Sequence, residues 1–230
     1  MAIAPDSSTQ RSRHLPVHVG LIMDGNRRWA RAHGERGTSF GHQAGAEHLS
    51  NVLSWLAARG IDHVSAFVLS ADNIRKRGRL EVEFLFSLIE HVIPERVRAT
   101  ERWSLHVSGD LDLLPESTRT ALAEMIDETR GRPGHLTLAI GYDARDDILA
   151  AVRKTITGGS EMLTVDAVTQ NLAGGPVKDI DLIIRTGGDS RISGFFPWQS
   201  KMAELYVVEH PWPDLTDSDL DDALAFYSGR

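Results

Sequence analysis

The sequence predicts an α/β protein, a single domain in which a mostly parallel sheet of about six strands is flanked by helices. Three observations predict it. Short apolar runs and helix-period segments alternate about six times along the chain, the pattern that builds a parallel sheet with helices on its faces. The 230 residues suit one domain with a substantial core, and no linker, repeat or low-complexity tract divides them. Hydrophobic residues at 41% and charged residues at 25% are globular values.

Residues 1–15 are polar and read as a flexible leader, so the domain runs from 16 to 230. Val17–Met23 is an apolar run ending at the turn formers Asp24-Gly25-Asn26: a buried strand, then a polar loop. From Gly41 to Arg59 apolar residues recur at helical spacing, and Gly60 supplies the C-cap. His63–Leu69 is the next strand, Ser70–Gly78 a polar and basic loop, and Leu80–Val97 a helix with Val82, Leu85, Phe86 and Ile89 on one face. Strand Trp103–Ser108, helix Pro115–Thr129 with proline in its first turn, strand Leu136–Tyr142 and helix Asp146–Ile156 follow. A weaker helix at Thr164–Leu172, strands at Ile180–Arg185 and Ala203–Val208, and a helix at Asp217–Tyr227 capped by Thr216 complete the chain.

Composition narrows the function. A net charge of −7 argues against a general nucleic-acid binder, which needs a cationic surface. The absence of cysteine excludes disulfides, thiolate zinc sites and cysteine nucleophiles, and fits a reducing cytoplasm. The N-terminus lacks the apolar core of a signal peptide, and no window approaches the ~20 apolar residues of a membrane span.

Ligands of open parallel sheets bind beyond the carboxyl ends of the strands. Three polar clusters follow strands immediately and are expected to converge there. In Asp24–Trp29, a strand-end carboxylate suits a hard cation, and Arg27 and Arg28 suit diphosphate oxygens. An isolated Asp-Gly-Asn would more often be only a turn, and the neighbouring arginines shift that balance. Ser70–Arg77 alone reads as a basic surface loop. Beside Asp24 it offers a hydroxyl, a carboxamide and cations. Arg185–Ser193 packs two arginines, two glycines and hydroxyls into an anion cradle, without the lysine or spacing of a P-loop. Glu204 lies inside an apolar run, where a carboxylate is either edge-facing or a ligand. His42 precedes a helix and could face the phosphates.

Taken together these segments resemble the cis-prenyltransferase family, the group of undecaprenyl diphosphate synthase, over nearly the whole chain from His18 to Tyr227. The signatures are Asp24-Gly-Asn-Arg-Arg-Trp29, Gly41-His-Gln-Ala-Gly45, the run from Arg185 to Gln199, Glu204-Leu-Tyr206 and Trp212-Pro-Asp214. The resemblance implies that family's parallel-stranded fold, usually as a homodimer, and Mg²⁺-dependent condensation of isopentenyl diphosphate with an allylic diphosphate. It implies that Asp24 holds Mg²⁺ and the allylic diphosphate, surrounded by Gly25, Asn26, Arg27, Arg28 and His42. Arg185, Arg191 and Ser193 would bind the second diphosphate. Glu204 would join the metal site, within the chain or across a subunit contact. Asn73 and Ser70 would sit near the carbon that loses its proton. Trp29, Ala71, Asp72, Ile74, Lys76 and Ile192 complete the implied substrate set.

The second signature departs from the family's Phe-Ser-x-Glu-Asn-Trp-x-Arg-Pro. Here Asp72, Ile74 and Lys76 stand for glutamate, tryptophan and arginine, and lysine keeps charge but loses bidentate geometry. Thr38 stands where an arginine is common, with Arg36 nearby. The pattern is similar to an actinobacterial branch with short-chain members, and it leaves product length open. Val68 and the Leu85–Ile93 face are the expected tunnel wall. Irregular coupling of allylic units, a non-catalytic partner subunit and a phosphate-ester hydrolase are the alternatives. The retained Asp24, Arg185, Arg191 and Glu204 disfavour the partner, and the paired arginine clusters disfavour the hydrolase.

Overall fold

The computed structural model describes residues 15–34, 37–158 and 162–229. The expected leader therefore lies almost wholly outside the described residues, as does Arg36. Six strands form one sheet: β1 (His18–Ile22), β2 (His63–Ser70), β3 (Trp103–Ser108), β4 (Gly134–Tyr142), β5 (Leu182–Thr186) and β6 (Glu204–Val208). Their order is β3-β4-β2-β1-β5-β6, and every pair is parallel. The strands of β1 and β5 are buried throughout, as expected where helices cover both faces.

The helices are α1 (Asn26–Ala32), α2 (Gly37–Ala58), α3 (Ala71–Lys76), α4 (Arg79–Ser87), α5 (Ile93–Thr100), α6 (Glu116–Thr129), α7 (Ala144–Thr157), α8 (Val165–Asn171) and α9 (Asp217–Ser228). The main core lies between the sheet and the face carrying α2, α4 and α5, with Leu49, Leu53, Leu56, Leu85 and Ile89 packed on Val19, Leu21 and Ala66. Burying such side chains contributes roughly 1.5–3 kcal/mol each. A smaller aromatic cluster of Tyr142, Phe195 and Phe196 packs on Ile22 and Ile183.

Several expected boundaries shift, each for a local reason. The polar stretch after β1 becomes helical from Asn26, because Gly25 takes φ 104° and turns the chain tightly into α1. A Cβ at Gly25 would stand 2.7 Å from the Pro211 Cα. The expected loop Ser70–Gly78 contains α3, started by the Ser70 hydroxyl accepting the Asn73 N–H at 3.0 Å. Helix α2 begins at Gly37, four residues before the expected start at Gly41. The expected helix Leu80–Val97 runs instead from Arg79 to Thr100 in three pieces, with a π-helical stretch at Leu88–Val92 between α4 and α5. The capping box at Thr216 and Asp219 bears out the last helix start.

Candidate active site

All three clusters meet at the carboxyl edge of the sheet, around a cavity of ≈ 690 Å³. Asp24, Asn26, Arg27, His42, Ser70, Asp72, Asn73, Arg185, Arg191 and Ser193 line it. An apolar pocket of ≈ 50 Å³ adjoins it, formed by Leu49, Leu88, Ile89, Ile93 and Trp212 among others. Met23, Asn26, His42, Phe67, Val68 and Leu85 line both spaces and form the neck between them.

Asp24 stands two residues beyond β1. Its backbone carbonyl accepts from the Thr186 hydroxyl at 2.8 Å and the Trp212 N–H at 2.9 Å, fixing the chain there. Its carboxylate accepts from the Gly25 N–H at 2.7 Å and from Arg185 Nη2 at 2.8 Å, and remains 40% exposed. Arg185, the last-but-one residue of β5, is only 2% exposed; its Nη1 and Nη2 donate to Asp24, Asp189, Ser193 and the Arg191 carbonyl, and its buried Nε has no protein partner. It is a fixed cation under the cavity floor. Asp189 also accepts from Arg191 at 2.8 Å, so one carboxylate bridges both arginines.

Gly41 and Gly45 explain the glycine-histidine step on α2. A side chain at Gly41 would collide with the Asn26 carbonyl, and one at Gly45 would lie 2.5 Å from Asn26 Oδ1. Close approach of α1 and α2 sets His42 at the neck, buried at 7%. His42 Nε2 donates to Glu81 at 2.9 Å. Burial holds its imidazole below the ordinary range, an effect that the Glu81 hydrogen bond opposes and Arg77 and Arg27 reinforce.

Not every expected site residue faces the cavity. Arg28 reaches the Gly187 carbonyl at 2.7 Å and lies 3.9 Å from Asp24. Trp29 donates to Asp214 at 2.6 Å and stacks on His33 and Phe40, so it braces α1 instead of lining the cavity. Ala71 is buried in the first turn of α3, Ile74 packs against the main core, and Ile192 packs against the aromatic cluster. Lys76 is 74% exposed and pairs with Asp72 at 2.9 Å, one helical turn back.

Arg77, and not the expected Lys76, lines the cavity. Its side chain is only 19% exposed, and its guanidinium donates to Glu81 at 3.1 Å. Arg145, after β4, lines the cavity as well. Helical phasing of Ala71–Lys76 pairs Lys76 with Asp72, whereas Arg77 lies past the helix end in extended backbone and reaches Glu81 on α4.

Glu204 is the clearest correction to a single-chain metal site. It opens β6 in register with Leu182, which pairs with Val19. It therefore lies at the amino edge of the sheet, roughly 16 Å from Asp24 along the strands at ~3.3 Å per residue. Its charge is felt there by Tyr227. No group of three or more His, Cys, Asp or Glu that could hold a metal occurs among the described residues.

Comparison with known proteins places this geometry. The model of the undecaprenyl diphosphate synthase family matches residues 22–230. An isoprenyl transferase of Streptomyces fradiae is 42% identical, over 94% of this chain and 89% of its own. A short-chain Z-isoprenyl diphosphate synthase of Mycobacterium leprae is 36% identical, over 96% and 88%. The crystal structure of lavandulyl diphosphate synthase from Lavandula x intermedia in complex with dimethylallyl diphosphate superposes with a TM-score of 0.85 at 31% identity, covering 94% of this chain and 96% of that one. The chain belongs to the undecaprenyl diphosphate synthase, or cis-prenyltransferase, family and is a prenyl transferase.

Proposed function

We propose that the protein condenses isopentenyl diphosphate with an allylic diphosphate (dimethylallyl, geranyl or farnesyl) to give a short- or medium-chain Z-prenyl diphosphate. The observation that carries this reading is the neck: a cavity rich in arginine opens through Asn26 and His42 into an apolar pocket. Such a site takes a molecule with a diphosphate head and a hydrocarbon tail. The small apolar pocket supports a short product, as does the likeness to a short-chain synthase.

The allylic head lies against Asp24, Arg27, His42 and Arg77, with its tail in the pocket. Its reacting carbon then falls at the neck. Cleavage of the carbon–oxygen bond leaves diphosphate with extra negative charge, and the fixed cations stabilise that charge as it develops. Arg185, Arg191 and Ser193 hold the second diphosphate so that its double bond attacks the allylic cation. The resulting cation then loses a proton near Ser70 and Asn73, its C–H electrons forming the new double bond and the released diphosphate taking the proton. Ser70 also caps α3, so its hydroxyl keeps Asn73 in place.

Mg²⁺ fits this site on the character of its donors: Asp24 alone is a sparse protein ligand set, and this ion is commonly held by one or two carboxylates plus substrate phosphates. Bound there, it would supply further charge to the leaving diphosphate. Glu204 would reach such a site only from a second copy, in keeping with a homodimer. No described helix is long and apolar enough to cross a membrane.

Incubation with labelled isopentenyl diphosphate, each allylic primer in turn and Mg²⁺, followed by product chromatography, tests the reading. One elongated product class is expected. Product from an allylic diphosphate alone would replace it with irregular coupling.

A further inference from the structure

We propose that Glu81 is a positioning residue for the diphosphate cavity, tying His42 and Arg77 into one fixed wall. The proposal rests on the reading of that cavity as a diphosphate site.

Three elements meet at this carboxylate. Glu81 stands in the first turn of α4, His42 on α2, and Arg77 at the C-terminal end of α3. Glu81 Oε1 accepts from His42 Nε2 at 2.9 Å and from Arg77 Nη1 at 3.1 Å. His42 and Arg77 line the cavity, whereas Glu81 stands behind them. The next pair on the same helix shows what an ordinary surface ion pair looks like here. Arg79 and Glu83 are 89% and 52% exposed, against 19% and 17% for Arg77 and Glu81. Exposed pairs contribute little, while a shielded carboxylate with two donors fixes both.

The contact also sets chemistry at the neck. A carboxylate can only accept, so His42 carries its hydrogen on Nε2. Burial pushes the Glu81 carboxyl up, but the His42 hydrogen bond and the Arg77 charge outweigh it and hold Glu81 ionised. Arg77 keeps a second, buried donor at Nε with no protein partner, next to a cavity read as an anion site.

Two effects of Glu81 oppose each other. Its negative charge repels an incoming diphosphate, while its geometry aims two donors at one. If the charge dominated, neutralising Glu81 would tighten diphosphate binding. The shielded double contact argues that geometry dominates, so removing Glu81 weakens binding.

The test is calorimetric titration of inorganic diphosphate into the full chain, comparing wild type, Glu81→Ala, Glu81→Gln and Arg185→Ala, with the His42 imidazole titrated by NMR. Binding weakens about tenfold in Glu81→Ala and by less in Glu81→Gln, whose amide still accepts one hydrogen bond. The His42 titration moves to lower pH in Glu81→Gln, and Arg185→Ala loses binding. Should Glu81→Ala not fold, the isosteric Glu81→Gln carries both readouts. Binding as tight as wild type, or tighter, overturns the proposal. So does weaker binding with an unmoved His42 titration, because Glu81 would then act only through the fold. If wild type takes up no diphosphate, the diphosphate reading of the cavity falls, and the proposal with it.

Discussion

The two edges of the sheet carry polar clusters of opposite design. At the carboxyl edge, Asp24, Arg27, Arg77, Arg145, Arg185 and Arg191 surround an open cavity. At the amino edge and along the strands next to it, four histidines cross four strands and pack against one another. His106 and His135 face each other at 3.0 Å, His63 stacks on His135, and His18 donates from Nδ1 to the Asp179 carbonyl at 3.1 Å and accepts from Ser65. Burial, with neighbouring histidines adding to it, holds the His63 and His106 imidazoles down, and His18 falls to about 4. The same strands thus begin among packed imidazoles and end in charged side chains around a cavity. Strand direction, more than residue type, separates structural polarity from chemical polarity in this fold.

Substitutions at the two edges should break that contrast unequally. Asp24→Ala is expected to lower turnover about a thousandfold or more, since it removes the carboxylate proposed to hold Mg²⁺ against the leaving group; steady-state assay with saturating substrates checks it. Arg185→Ala is expected to cost on the order of a hundredfold in kcat/KM and to lower stability, because it strips Asp24 and Asp189 of a buried partner. Arg77→Ala is expected to raise KM about tenfold, and Lys76→Ala to change it by less than about twofold. Equal effects of the two would restore the sequence reading that put Lys76 in the site.

The amino edge predicts a pH effect on stability with no site chemistry in it. The folded values of His18, His63 and His106 lie below the ordinary value of about 6.5. The neutral forms are favoured by folding, so stability is full above that value and falls as pH drops through the window down to about 4 for His18. From pH 7 to pH 5, His18 alone should cost about 2 kcal/mol. Urea unfolding across that range should show the loss, and His18→Gln should flatten the slope. An equal slope in the variant would mean that other groups carry the acid sensitivity.

Much of this was legible in the sequence, and what was not has physical causes. Parallel strands announce themselves as apolar runs, and the turn formers after β1 and β5 marked where the site would open. Helix α3 is hard to read because its six residues carry only two apolar side chains, Ala71 and Ile74, too few for a visible stripe; its evidence is the Ser70 cap and the Asp72–Lys76 spacing. Missing that helix misdirected the choice between Lys76 and Arg77, which point apart around it. Trp29 looked like a site residue from its neighbours in the chain, yet its partner Asp214 lies 185 residues away. Glu204 shows a limit of a different kind: the strand was read correctly, but a carboxylate at its first residue lies at the wrong edge for a site at the other end.

The three clusters at the carboxyl edge are proposed to form one site that joins prenyl diphosphates. The most direct measurement is incorporation of labelled isopentenyl diphosphate into longer prenyl diphosphates by wild type and Asp24→Ala, with each allylic primer and Mg²⁺. Wild type is expected to elongate at least one primer, and Asp24→Ala none above background. No elongation by wild type with any primer, or undiminished elongation by Asp24→Ala, would contradict this proposal.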